Sequence, residues 1–286
     1  MIIDAHNHAD WHKTDMNAFI KNMDDNNIDV TWLLSWECPR KEYENNNGAL
    51  CSFLDPGPIP FQAGLAYKHA HPDRFVLGYC PDPRDPDAIN NLKAAVYIHG
   101  VQVCGELKVR MMYDDFDAIR LFRCAGELGL PVTMHYDYEF NKAWTNAWPN
   151  FWYGGAIDTF ERVLKKCPET IFLGHAPGFW AHISNDDLYD KQSYPKGPVI
   201  KGGMIPYLLD NYPNLYCDMS AGSGCNAFTR DLDNAVWFMN TYQDRILYAR
   251  DWFDTRHREL LDSLDLSQEV KDKIYYKNAL KLVPLK

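Results

Sequence analysis

The sequence predicts a single (β/α)8 barrel, and three observations carry that reading. Eight short apolar runs rich in β-branched residues alternate with longer segments of helical periodicity. The chain has 286 residues, the size of one α/β barrel, and no internal repeat or low-complexity linker divides it. Several of the runs stop on an ionisable side chain, the placement that the C-terminal rim of a barrel uses for chemistry.

The elements follow in order. Ile2–His6, Ile28–Ser35 and Arg74–Cys80 read as the first three strands. Pro86–Ile98 reads as a helix before the strand Val101–Lys108. Phe116–Leu128 places Ile119, Phe122, Ala125 and Leu128 at helical spacing and precedes the strand Pro131–His135. The helical segment Ala156–Lys166 leads to Thr170–His175, Gly203–Asn211 to Leu215–Met219, and Ala227–Met239 to Ile246–Asp251. Strands that alternate with helices predict a parallel sheet, whose closure is a barrel. Two long loops interrupt the pattern. Glu37–Pro60 contains Asn45-Asn46-Asn47-Gly48 and Asp55-Pro56-Gly57-Pro58, and Ala176–Gly203 is rich in Gly, Pro, Asp and Tyr. Both follow a strand and so belong to the C-terminal face, as pocket walls, as lids or as solvated insertions.

Composition narrows the function classes. Apolar residues make up 46% of the chain and charged residues 24%, which supplies a large core and argues against disorder. The net charge of −10 predicts repulsion from nucleic acid and from anionic membrane surfaces, so a small-molecule substrate is the expected partner. A small anionic substrate stays open, because one metal ion and a few cations can dominate a pocket locally. No run approaches the roughly 20 apolar residues that span a bilayer. The start, Met-Ile-Ile-Asp-Ala-His, lacks a basic region followed by an apolar core, so no signal peptide is expected. None of the eight cysteines forms a Cys-x-x-Cys pair, which points to a reducing, cytoplasmic setting and away from a cysteine zinc site.

The strongest chemical signal is Asp4-Ala5-His6-Asn7-His8 at the end of the first strand. Strand alternation points His6 and His8 the same way, and two neutral imidazoles so held can bind one metal ion. The alternative is a pair of surface histidines. Context decides between them: His135, His175 and Asp251 each end an apolar strand. Strand ends on one barrel face converge, so four such strands predict a shared metal site.

This set of residues resembles the amidohydrolase superfamily. The closing Tyr276-Lys277-Asn278-Ala279-Leu280-Lys281-Leu282 is similar to the C-terminal helix of the branch called amidohydrolase family 2. The resemblance spans the whole chain and implies a distorted (β/α)8 barrel. It implies His6, His8 and His135 as metal ligands, and Asp251 as ligand and proton carrier. His175 would be a second ligand or a catalytic acid/base. Glu106, in Gly105-Glu106-Leu107-Lys108, matches the bridging glutamate of the TatD-like deoxyribonuclease branch. The other reading pairs Glu106 with Lys108 or Arg110. The metal count turns on this residue: one divalent ion, and a second if Glu106 bridges. Zinc suits the imidazole and carboxylate set, and Mn²⁺ and Fe²⁺ fit it as well.

A bound metal lowers the pKa of its water and polarises a substrate oxygen. Asp251 would then accept and pass on a proton, and His175 would stabilise charge on the substrate oxygen or donate a proton. Asp4 either supports His6 or simply ends the strand. Weaker candidates lie just beyond strand ends. His12 and Trp11 follow the first motif, and Arg110, Tyr136, Tyr138, His182, Arg250 and Trp252 follow others. Arg110 or Arg250 could grip an acidic substrate bidentately. His69, His71, His99 and His257 read as structural. Trp144, Trp148, Phe151, Trp152 and Tyr153 read either as a pocket wall or as a homodimer contact.

The leading expectation is a metal-dependent hydrolase of a small carboxylate, lactone, amide or ester. The alternative is a metal-dependent non-oxidative decarboxylase of a small carboxylic acid, a reaction that amidohydrolase family 2 also contains. Phosphodiester hydrolysis is disfavoured by the acidic charge and the lack of a basic run. A non-catalytic barrel is disfavoured because every position of the ligand set is filled.

Overall fold

The computed structural model describes residues 1–39, 42, 59–137 and 152–285. Eight parallel strands carry the fold: β1 (Ile3–Asn7), β2 (Val30–Leu33), β3 (Phe75–Leu77), β4 (Cys104–Leu107), β5 (Val132–His135), β6 (Phe172–His175), β7 (Leu215–Asp218) and β8 (Ile246–Leu247). They form two ladders, β1-β2-β3 and β4-β5-β6-β7-β8. Backbone hydrogen bonds join the ladders at both seams. Tyr79 N donates to Val103 O (3.0 Å) and Gln102 N to Leu77 O (3.0 Å) between β3 and β4. Ala5 N donates to Tyr248 O (3.0 Å) between β1 and β8. The result is the expected α/β TIM barrel, with neighbouring strands in chain order.

β1 is the predicted run moved one residue on, and each of the other seven strands falls inside its predicted run but is shorter by one to several residues. The apolar runs continue past the ladder and point their last side chains into the rim. Ile3, Ala5, Val30, Trp32, Val76, Val103, Leu173, Tyr216, Leu247 and Ala249 form one buried cluster drawn from both ladders. The C-terminal segment packs Tyr276, Ala279 and Val283 against it. Asn278 Nδ2 donates to Ile246 O (2.8 Å), at the start of β8. That segment therefore covers the end of the barrel away from the strand C-termini.

The helices Ala88–His99, Phe116–Glu127, Ile157–Lys166 and Met204–Asn211 match prediction within two residues. The helix expected over Ala227–Met239 is two helices instead, Ala221–Thr229 and Leu232–Thr241. Asp231 is extended between them (φ −156°) and its side chain accepts from Asn234 N (3.0 Å), so it starts a new helix rather than continuing the old one. Met16–Asp25, Phe61–Ala70 and Arg256–Ser263 are further helices that periodicity alone did not single out. The segment Ala176–Gly203 is not a solvated insertion. It begins with helical turns at Pro177–Trp180 and Ala181–Ile183, and its Phe179, Trp180 and Ile183 are buried.

Most of the loop expected over Glu37–Pro60, together with Tyr138, Trp144, Trp148 and Phe151, lies outside the described residues. The seven cysteines among the described residues are free thiols. No helix among the described residues is long and apolar enough to cross a membrane.

Candidate metal centre

The C-terminal ends of β1, β4, β5, β6, β7 and β8 bring seven ionisable side chains to one point: His6, His8, Glu106, His135, His175, Asp218 and Asp251. Six of them are almost wholly buried, and Asp251 is the most open, with 13% of its side chain exposed. A register shift between Asp4 and Asn7 lets β1 aim both of its histidines at the rim. Asp251 follows β8 with φ 55°, a conformation that is rare for residues other than glycine, and its N–H donates to His6 O (2.8 Å). The Gly105–Glu106 peptide is cis. A Cβ at Gly105 would lie 2.9 Å from the Thr133 Cβ, so only glycine lets β4 sit this close to β5.

The second nitrogen of each first-strand histidine is committed. His6 Nδ1 donates to Asp218 Oδ2 (2.5 Å) and His8 Nδ1 donates to Leu34 O (2.9 Å). In the neutral tautomers both Nε2 lone pairs therefore face inward, 3.2 Å apart. Two lone pairs facing each other in a buried site call for a cation between them. Around them, His8 Nε2 lies 3.3 Å from Asp251 Oδ1 and 3.4 Å from Glu106 Oε2. His6 Nε2 lies 3.6 Å from Asp251 Oδ1 and 3.8 Å from Glu106 Oε2. Ligands at the usual 2.0–2.2 Å from a tetrahedral ion stand roughly 3.3–3.6 Å apart, so this set fits a divalent metal. Buried His175 Nε2, His135 Nε2 and Asp251 Oδ1 also lack a hydrogen-bond partner. His6, His8, Glu106 and Asp251 would hold the ion, with His175 beside them.

Glu106 spans the site. Its Oε2 faces His6 and His8, while its Oε1 accepts from His135 Nδ1 (2.7 Å) and lies 3.5 Å from His175 Nε2. His135 thus meets the cluster through Glu106.

Electrostatics follow from this packing. Burial lowers the proton affinity of His6, yet the charges of Asp218 and Asp251 outweigh it and push the imidazole up to about 10. Burial likewise opposes the shift at His8, whose contacts with Asp251 and Glu106 raise it. For His175 burial dominates, and its pKa falls to about 4. Burial disfavours ionised Asp218 and Asp251, but the neighbouring histidines hold both carboxyls below their ordinary range. A metal ion replaces those protons and supplies the same compensating charge.

Sequence comparison agrees with the site. The amidohydrolase family model Amidohydro_2 matches residues 61–285. The chain belongs to this amidohydrolase family. The match begins after His6 and His8, so the geometry is what joins those two residues to the family's region. No curated protein matches the chain in sequence. An uncharacterized TIM-barrel protein from Bordetella bronchiseptica superposes with a TM-score of 0.65 at 14% identity, covering 98% of this chain and 97% of that one. The 5-carboxyvanillate decarboxylase of Sphingomonas paucimobilis gives 0.62 at 13% identity, covering 100% and 99%. A dihydroxybenzoic acid decarboxylase from Polaromonas sp. JS666, solved with manganese and 2-nitroresorcinol, gives 0.57 at 16%, covering 98% and 96%. At these identities the likeness is one of fold.

Not every expected residue reaches the amidohydrolase site. Arg250 is a correction. Its side chain is 1% exposed, and its Nε donates to Asp4 Oδ2 (2.8 Å) and its Nη1 to Asn22 Oδ1 (2.8 Å). It turns away from Asp251 and cannot reach a substrate. Asp4 is therefore its counter-ion. Tyr136 is a second correction: it alternates away from His135 and stacks on Phe160 in the layer between strands and helices (5.0 Å). His182 is buried against Tyr189 (ring centroids 4.4 Å), and burial lowers its pKa to about 4.

His12 and Trp252 do stand at the mouth, 4.4 Å apart, with Trp11 against both. Arg110 lies at the edge of the site, where Glu42 and Tyr153 engage it. Sequence reasoning missed Asp218 and Ser220. Ser220 Oγ is 3.0 Å from His175 Nδ1, and Asp218 Oδ1 accepts from Ser220 N (2.9 Å). The signal for Asp218 was present, since it too is an ionisable residue at the end of an apolar strand. A groove of about 810 Å³ lined by Ile183, Tyr207, Asp210 and Trp237 lies on the flank, and no member of the cluster borders it.

Proposed function

We propose that the chain is a metal-dependent non-oxidative decarboxylase of a small aromatic carboxylic acid. One observation carries this reading: aromatic rings border the metal cluster on two sides, with a lysine ammonium between two of them. His8 meets Trp11 (5.1 Å), which packs against the cluster that Trp36 forms with Ile59. Lys108 Nζ lies over the rings of Trp36 (4.7 Å) and Tyr153 (5.7 Å). Tyr153 meets His135 (5.4 Å), His135 meets His175 (5.3 Å), His175 meets His6 (4.5 Å), and His6 meets His8 (5.0 Å). A mouth built of ring faces favours a planar ligand. The decarboxylases of like fold act on planar carboxylic acids by their names, and one was solved with manganese.

A bound divalent metal would hold and polarise the oxygens of the acid. The remaining work falls to side chains. In the reaction the carbon–carboxylate bond breaks, its electron pair stays on the ring carbon, that carbon takes a proton, and CO₂ leaves. Asp251 is the carboxyl suited to carry the proton, because its side chain is 13% exposed, against 3% for Glu106 and 1% for Asp218. His175, neutral at pH 7, is held by Ser220 and steadies developing charge beside Asp251 Oδ2 (3.7 Å).

The division of Glu106 between two histidine pairs favours a second reading, hydrolysis at a two-metal centre bridged by this residue. One experiment separates them: elemental analysis of wild type and Glu106→Gln, paired with CO₂ release from a panel of hydroxybenzoates. About one metal per chain in wild type, reduced or lost in Glu106→Gln, together with CO₂ release by wild type supports decarboxylation. About two metals, one lost in Glu106→Gln, with no CO₂ from any acid overturns it in favour of hydrolysis.

A further inference from the structure

Lys108 stands two residues beyond Glu106 on the same face of the extended chain, and its charge helps keep the Glu106 carboxyl ionised. It is half-buried, and among the described residues no carboxylate lies within ion-pair distance of its Nζ. The neighbouring acids are already engaged. Glu106 faces four histidines, and Arg84 takes up Asp82 and Glu42. Among the described residues, two aromatic faces flank the ammonium. Trp36 is fixed by its Nε1–H, which donates to Lys108 O (2.7 Å), and Tyr153 by paired backbone bonds with Asp137 (3.0 and 3.1 Å). The box therefore holds the charge in place before any ligand arrives. Ring faces attract a cation but satisfy none of its three N–H donors. Arg110, the cation next along the same face, is occupied by the Glu42 carbonyl and by Tyr153.

We infer that Lys108 is the anion anchor of the site, donating to the carboxylate of a planar aromatic acid. This rests on the reading of the mouth as the substrate site, and it replaces Arg110 and Arg250 as the cation that selects the substrate. An ammonium with no carboxylate partner among the described residues gains a charge-assisted hydrogen bond without first breaking an ion pair.

The test compares dissociation constants of benzoate and benzamide, one anionic and one neutral at the same shape, by calorimetry. The proteins are the full-length Mn²⁺-loaded wild type, Lys108→Met and Lys108→Arg. Wild type prefers benzoate. In Lys108→Met that preference falls about ten- to hundredfold, the worth of a hydrogen bond to a charged group, with metal content unchanged, and Lys108→Arg restores part of it. An unchanged preference in Lys108→Met overturns the assignment. So does an equal weakening of both ligands, or loss of the metal, either of which would make Lys108 a support for Glu106. The readout is binding, so a lost preference without CO₂ release would refute decarboxylation and leave the anchor standing.

Discussion

Asp218→Asn isolates how this amidohydrolase prepares its metal site. Asp218 Oδ2 accepts from His6 Nδ1 (2.5 Å), and Oδ1 accepts from Ser220 N (2.9 Å). A carboxylate can accept on both sides, whereas an asparagine offers one acceptor and one NH₂. Whichever way the amide turns, either the His6 ring or the Ser220 N–H faces a donor. Because both are buried, the lost partner costs about 1–3 kcal/mol. If the amide oxygen stays with Ser220, His6 loses the group that fixes its tautomer and aims its Nε2 inward. Removing such a support weakens metal binding roughly 10–100-fold, which corresponds to about 1.4–2.7 kcal/mol. The same side chain faces His175 Nδ1 (3.6 Å), so activity should fall further than occupancy alone explains. The assay is competition for Zn²⁺ or Mn²⁺ against a chromophoric chelator, with thermal unfolding of the metal-free protein as the control for folding. A dissociation constant within twofold of wild type, in a folded variant, would refute the reasoning, since His6 would then need no acceptor to present its lone pair.

The same packing makes Arg250 and His6 the next points to test. Arg250→Ala strands the buried Asp4 carboxylate and should cost about 3–5 kcal/mol of stability, measured by denaturant unfolding. Metal affinity in the folded variant should stay near wild type, and a rise in KM without loss of stability would restore Arg250 as a substrate group. The metal-free protein should lose stability on alkalinisation. His6 is raised from 6.5 to about 10, so its protonated form stabilises the fold fully below pH 6.5. That contribution is lost as pH climbs through 10. The metal-loaded protein should be insensitive over this window, and metal uptake near neutrality should release protons. Thermal unfolding of both forms between pH 6.5 and 10 checks the sign, and parallel curves would contradict it.

The barrel was legible because its code is local. Eight apolar runs and the helical spacing between them appear within windows of ten or so residues, and the ladder registers follow their order. His6, His8, His135, His175 and Asp251 were legible for the same reason, since each marks a place where an apolar strand stops. The split at Asp231 shows where local reading fails. A capping side chain ended one helix and began another inside what looked like a single apolar stripe.

Local patterning thus specifies the architecture and the residues that arrive at its rim. Tertiary structure alone decided the direction in which each of them faces. Asp218 matters because it lies against His6, 212 positions away in the chain. Arg250 was misplaced because adjacency to Asp251 does not reveal that it turns away from the site, where Asp4 takes its Nε and Asn22 its Nη1. Lys108 shows the converse. Its charge is plain in the sequence, but the two rings that flank it, with no carboxylate among the described residues in ion-pair reach, depend on segments brought together from β2, β4 and β5. Strand and helix periods are set by neighbours along the chain. Partners across a barrel are set by closure, which no short window of sequence encodes.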